Sequence, residues 1–275
     1  MAEASVLRAD SVTVFTTEAS DSVLVTGSHA GRLVGEWALS VGACGLIAND
    51  AGVGKEAAGV GGLGRLDEVG LPAAAVDVWS ARIGDGDDTW RCGRVSAMNE
   101  VAARLGVVRA MSAVEAAQLM AQAGLRASSG PAGLDLSASS DGVVLDDGDV
   151  AVVALDSAGW IDARHEGAIV VTGSHGGVVA GRAVKAPVAA AVFNDAGIGK
   201  QRAGVGRLAL LDEMGIAGFT VAHQSARIGE ALDTFASGDV SCANEVATRC
   251  GVEIGTSARA AIERIRVATR EKRIR

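Results

Sequence analysis

Tyrosine is absent from this 275-residue chain, aromatic residues make up 3% of it, and proline occurs three times. With so few aromatics and an acidic balance, no obvious interaction patch stands out, and a homodimer is expected only as the default for a small-molecule enzyme. Positive charge is scarce as well: 25 Lys and Arg face 33 Asp and Glu, for a net charge of −8. Phosphate backbones are gripped by basic stripes, and none is visible, so a nucleic-acid partner is not expected. The one basic cluster, REKRIR at 270–275, reads as a solvated helix terminus. No apolar run reaches the roughly 18 to 20 residues of a membrane helix. The opening MAEASVLRAD lacks the basic start and apolar stretch of a signal peptide. These absences together lead us to expect a soluble, cytoplasmic protein without a membrane partner. Cysteine is limited to Cys44, Cys92, Cys242 and Cys250, with neither a CxxC pair nor metal-ligand spacing, so all four read as small buried apolar residues.

Against these shortages stands an apolar fraction of 49% with 21% charged residues, ample for a packed core. The length suits one large domain or two ordinary ones. An internal repeat decides for two units. CGLIANDAGVGKEAAGVG matches AAVFNDAGIGKQRAGVG, SARIGDGDDT matches SARIGEALDT, and VSAMNEVAARLGV matches VSCANEVATRCGV. From Asp50 onward the copies run at one constant offset. Ahead of it, TGSH at 26–29 matches TGSH at 172–175 with a one-residue deletion between.

The rare residues are informative. All four asparagines form matched pairs, Asn49 with Asn194 and Asn99 with Asn244. Two of the four lysines, Lys55 and Lys200, and two of the four histidines, His29 and His175, are matched as well. Cysteine and tryptophan have no identical counterparts. Recent duplication would spread identity evenly, yet RLVGEWALSV stands against VVAGRAVKAP. Selective retention of polar residues therefore marks a site.

Each copy opens with an apolar, β-branched run (12–15 and 150–155) that reads as a strand. A second such run follows, then the TGSH turn, a helix-length segment, and a strand ending at Asn-Asp. A glycine-rich loop, a helix closed by Gly70, a strand into Ser80-Ala81-Arg82, and helices starting near Asn99 and Ser112 complete the unit. Short apolar strands without alternation, separated by helices, indicate parallel sheet buried on both faces. The expected fold is α/β: two tandem, pseudo-symmetric Rossmann-like repeats, mainly parallel, with helices on both faces. Residues 1–124 form the first repeat, the Ser/Gly/Asp-rich 125–148 the linker, and 149–275 the second repeat. Open parallel sheets bind ligands at their strands' carboxyl ends. The matched motifs are thus expected at one edge of each unit, with the site in a cleft between the repeats.

The motif chemistry leaves several roles open. Gly27 and Gly173 permit a sharp turn whose following amides stabilise anions. Ser28 and Ser174 suit a nucleophile or an anion-binding hydroxyl, His29 and His175 a base or metal ligand; a helix-capping Ser beside a packed His is the plainer account. Asp50 and Asp195 stand as base, metal ligand or partner of a cation. Lys55 and Lys200, on a loop that is no Walker A, hold an anion or, with depressed pKa, act as bases. Ser80, Arg82, Ser225 and Arg227 suit carboxylate or phosphate capture, unless the arginines simply pair with Asp88 or Asp233. Asn49, Asn99, Asn194 and Asn244 offer amide contacts to a ligand or brace neighbouring loops. The catalytic candidates are therefore Ser28, His29, Asp50, Lys55, Ser174, His175, Asp195 and Lys200, and the rest are substrate-binding candidates.

The composition of this set points to an enzyme for a small, anionic, carboxylate-, amide- or carbonyl-bearing substrate, foremost a hydrolase or related lyase of a C–N or C–C bond. A cofactor-independent isomerase or racemase with one acid/base from each repeat is the alternative, and a non-catalytic binding protein the third reading. No cofactor is required by the sequence. His and Asp sets are compatible with a divalent metal, but no HxxxH-type spacing supports one. The GxGxxG match at Gly59–Gly64 starts about ten residues after its strand, so a dinucleotide is not expected.

Overall fold

A strand buried on both faces needs an apolar residue at every position, because successive side chains point to opposite sides. In the computed structural model, which describes residues 4–126 and 141–274, the apolar runs of the sequence form such strands. The first sheet has five strands in the order β1 (Val6–Ala9), β2 (Val23–His29), β3 (Gly45–Asn49), β4 (Ala73–Val76) and β5 (Val95–Met98). The first four are parallel and β5 is antiparallel to β4.

Strand order follows chain order, so right-handed crossovers place successive connections on the same face. Helices α1 (Arg32–Ser40) and α2 (Gly61–Glu68) accordingly share one face, where Val34, Leu63 and Leu66 pack with Leu24, Leu46 and Ala75. The opposite face is closed by α5 (Ala113–Ala123), whose Ala116, Ala117 and Met120 meet Val23, Val25, Ile47 and Val76. Two short helices, α3 (Gly86–Cys92) and α4 (Glu100–Arg104), follow β4 and β5. Leu24, Leu46 and Leu66 are at most 1% exposed, each contributing about 1.5–3 kcal/mol.

The second sheet has six strands in the order β11-β10-β9-β8-β7-β6. They are β6 (Val143–Asp146), β7 (Val152–Leu155), β8 (Ile169–His175), β9 (Ala190–Asn194), β10 (Ala217–Val221) and β11 (Val240–Ala243). The middle four are parallel and both edge strands antiparallel. Helices α6 (Arg207–Glu213), α7 (Ala231–Ser237), α8 (Glu245–Arg249) and α9 (Ala258–Ile274) accompany it. Ile262 and Ile265 of α9 pack into the core of Ile169, Val171, Val192 and Phe219. Among the described residues, one compact unit gathers residues 4–53, 57–126 and 198–203, and the other 54–56, 141–197 and 204–274. Each unit thus includes a short segment from the other repeat's sequence. No described helix is long and apolar enough to cross a membrane.

The α/β class and the mostly parallel sheets match the sequence reading; several details differ. Val12 opens a 3-10 turn, Val12–Val14, instead of a strand. Its amide is taken by the Ser28 hydroxyl and that of Thr13 by Ser11, so neither enters a ladder. TGSH is not a turn but the end of β2 and β8, reached through a register shift. The second copy has no helix where α1 stands: Val178 and Val179 are β-branched, and Ala180 and Gly181 have φ of 49° and 70°, a poor start for a helix. Strands β5 and β11, just ahead of Asn99 and Asn244, stand where the sequence reading has no strand. In the expected linker, 127–140 lies outside the described residues and 143–146 is strand β6. Arg275 of the basic end also lies outside them. Only Cys44 is buried; Cys92, in the last turn of α3, is exposed, and Cys242 and Cys250 are half-buried.

Candidate functional site

The carboxyl ends of β2, β3 and β4 bring most of the matched motifs of the first unit to one edge of the sheet, and β8, β9 and β10 do the same in the second. The glycines come first because they set the spacing. Gly84 N–H donates to the Gly27 carbonyl and Gly229 N–H to that of Gly173, both at 2.7 Å. A Cβ on Gly27 would overlap the Asp85 amide, and one on Gly173 the Glu230 amide. The loop after SARI therefore lies directly on the strand backbone, which only glycine allows.

Ser28 Oγ accepts from the Val12 amide at 3.0 Å, and Ser174 Oγ from the Ala158 amide at 2.8 Å. His29 Nδ1 accepts from the Gly31 amide at 3.0 Å and His175 Nδ1 from the Gly177 amide at 3.1 Å. Burial drives the His29 pKa down to about 4, so the ring is neutral at pH 7. Ser28 and His29 do not bond to one another.

Asn49 and Asn194 are fully buried. Each accepts from the amide two residues on, Ala51 or Ala196, and donates to the carbonyl of Ala81 or Ala226. Asp50 Oδ1 accepts from the Gly52 and Val78 amides. These bonds hold a run of left-handed backbone: φ is 50°, 71°, 64° and 68° at Ala51, Gly52, Val53 and Gly54, and 49°, 72°, 63° and 63° at Ala196, Gly197, Ile198 and Gly199. A β-branched residue avoids this region, and holding one there costs on the order of 1–3 kcal/mol. Both copies retain the strain.

The loops lead to the lysines. In the second unit Lys55 Nζ lies 3.1 Å from both carboxylate oxygens of Asp233. In the first, Lys200 Nζ donates to Asp88 at 2.9 and 3.0 Å and to the Ser80 carbonyl at 3.1 Å. Desolvation would lower the Lys200 pKa, but the Asp88 carboxylate outweighs it and holds the pKa above the ordinary value. Lys200 is thus a cation, not a base. Arg82 donates to Asp85 and Gln201, and Arg227 to Glu230 and Glu56. Ser80 and Ser225 each donate to the carbonyl three residues back and accept one amide, of Arg94 and Asp239 respectively. Around Arg82 an open depression of about 380 Å³ is lined by Asp10, Asp85, Asp87, Asp88 and Arg91. Among the described residues no group of three or more His, Cys, Asp or Glu is assembled to hold a metal.

Asn99 and Asn244 are not brought to this edge. Strands β5 and β11 run antiparallel, so their carboxyl ends lie at the amino ends of β4 and β10, where Asn99 bonds the Ala73 amide. Each caps the following helix through its Oδ1 and donates to the Leu71 or Ile216 carbonyl. Both are braces.

Compared with family models, curated proteins and solved structures, the chain matches none. The site must be read from its own geometry.

One pairing escaped the comparison of the two copies. Asp195 Oδ1 accepts from the His223 amide at 2.9 Å and lies 3.0 Å from its Nδ1. The carboxylate is 5% exposed and the imidazole 21%. Burial raises the Asp195 pKa, but the His223 ring and amide hydrogen bonds outweigh it, holding the pKa below the ordinary value. In the first copy the corresponding residue is Val78, whose amide alone reaches Asp50, and burial raises the Asp50 pKa. Because His223 is unmatched, retention between copies gives no signal for it. Asp10 and Asp156 were also missed, although Asp-Ser recurs at 10–11 and 156–157. They accept the Gly86 and Ala231 amides.

Proposed function

We propose that the chain is a small-molecule enzyme, a hydrolase or related lyase of a C–N or C–C bond in a polar, anionic substrate, with His223 as its general base. The observation that carries this reading is the Asp195–His223 contact. An ionised, buried carboxylate at Nδ1 keeps the proton on that nitrogen and leaves the Nε2 lone pair as the proton acceptor. Nε2 takes a proton from water or substrate and returns it to the leaving group, while Asp195 stabilises the imidazolium formed in between. Ser28 and Ser174, with their hydroxyls on backbone amides, are weaker candidates for a nucleophile. The racemase alternative needs an acid/base in each repeat, and Val78 at the corresponding position of the first disfavours it. A cytoplasmic setting and a homodimer belong to the same proposal.

A thermal-shift screen of small carboxylates, amides and cyclic imides, followed by NMR detection of product, tests it. His223→Gln is expected to retain ligand binding and lose turnover about 10²- to 10⁴-fold, and Asp195→Asn to lower kcat with little change in KM. Turnover undiminished in His223→Gln would overturn the assignment. A complete lack of stabilising ligands among these classes would overturn the substrate class.

A further inference from the structure

We infer that the second unit carries an oxyanion-binding site, for a carboxylate or phosphate group, at the carboxyl end of β8, with Arg207 as its central cation. Arg207 is 7% exposed, and a buried guanidinium ordinarily faces a carboxylate. Its partners are neutral: Nε donates to the Gly177 carbonyl and Nη1 to the Ala183 carbonyl, both at 2.7 Å, and the guanidinium carbon lies 5.0 Å from the Phe193 ring centre. Among the described residues no carboxylate lies within ion-pair distance, and Nη2 donates to no protein atom. Nor is Nη2 among the polar atoms sealed from solvent without a partner, which are Glu36 Oε2, Arg266 Nε and Arg270 Nε. It is accessible and unpaired.

The first repeat shows what is missing. There the position of Arg207 is Gly62, whose amide donates to the Ala30 carbonyl and on which Gly35 of α1 packs closely. Helix α1 also brings Glu36, buried and bonded to Arg65 Nε at 2.8 Å. In the second repeat the helix is lost, the Glu36 position is the exposed Arg182, and 176–186 (GGVVAGRAVKA) contains no acidic residue. Lys185, in the same stretch, rests on the Gly159 carbonyl. A buried carboxylate paired with Arg65 has thus been exchanged for cations that, among the described residues, have no counterion. Burial lowers the Arg207 pKa to about 10, so the charge persists at neutral pH. An oxyanion on Nη2 supplies the missing charge through a charge-assisted hydrogen bond.

This site is independent of the His223 dyad, and its test separates the two. Melting temperature is followed against inorganic phosphate and, separately, acetate, at constant ionic strength with potassium chloride. A saturable rise is expected in the wild type and in His223→Gln. In Arg207→Gln the apparent Kd is expected to weaken about 10- to 100-fold. A rise with phosphate alone assigns a phosphoryl group; a rise with both assigns a site that also accepts carboxylates. No saturable rise with either anion, or an equal rise in Arg207→Gln, overturns the inference. Should that variant fail to fold, the Arg207 Nε–Hε resonance of the wild type is titrated with the same anions, and a resonance that does not move overturns it equally.

Discussion

Replacing Asn99 with alanine separates the two explanations for a polar residue kept in both repeats. Asn99 is 6% exposed, and all of its polar valences are spent on backbone: Oδ1 accepts from the Ala73 and Ala102 amides, and Nδ2 donates to the Leu71 carbonyl at 2.7 Å. Truncation removes a helix cap, worth about 1 kcal/mol. It also leaves a buried amide and a buried carbonyl without partners, at about 1–3 kcal/mol each. The expected loss is therefore about 3–7 kcal/mol, a large part of the roughly 5–15 kcal/mol that holds a typical domain. Asn244→Ala should cost the second unit a similar amount, because the same bonds recur at Gly218, Ala247 and Ile216. Urea unfolding of both variants, read by the transition midpoint at constant slope, measures it. A residue kept for ligand contact is costly to the apo protein and neutral or stabilising to remove. A loss below about 1 kcal/mol in both variants would refute the brace and return these asparagines to the ligand-binding set.

Two further tests use protonation. Asp50 and Asp195 are repeat-equivalent but shifted in opposite directions: burial raises Asp50, while the His223 hydrogen bonds overcome burial and lower Asp195. Asp195 thus contributes stability present above its ordinary value of 3.8 and lost as pH falls through its lowered one, whereas ionised Asp50 is a cost that appears as pH rises through 3.8 toward its raised value. At pH 7 Asp50→Asn should be neutral or stabilising and Asp195→Asn destabilising in denaturant titrations; the reverse order would contradict the assignment. His29 supplies the second test. Its pKa falls from 6.5 to about 4 on folding, so stability is full above 6.5 and declines as pH falls from 6.5 toward 4. Between pH 7 and pH 5 the loss is about 2 kcal/mol, and His29→Asn, which keeps an acceptor for the Gly31 amide, should remove it. An unchanged pH dependence in that variant would show that His29 does not titrate as described.

The fold was legible because burial on both faces leaves a direct trace in composition: Val23-Leu24-Val25 and Ile169-Val170-Val171 have no polar partner position to alternate with. Strands β5 and β11 were not legible, since VSAM and VSCA are short, half-buried edge strands stabilised by a neighbour distant in sequence. The site was legible only in part, and the reason is chemical. Backbone amides and carbonyls offer a side chain the same donors and acceptors as a ligand does. Asn49, Asn99 and Ser28 look alike on either account until their partners are known. Comparing copies also favours what they share, so it was blind to His223 and Arg207, which derive their interest from Val78 and Gly62 standing at the corresponding positions.

The two left-handed loops have a stereochemical consequence. Over Ala51–Gly54 and Ala196–Gly199 the chain follows, for four residues, the backbone path natural to the enantiomer of its own amino acids. The penalty there comes from the L configuration, most of all at the β-branched Val53 and Ile198, on the order of 1–3 kcal/mol at each. In a semisynthetic protein, D-valine at 53 would relieve that penalty, although the same change in β2 or α2 would break the element. In these two loops inverted chirality and the native backbone agree.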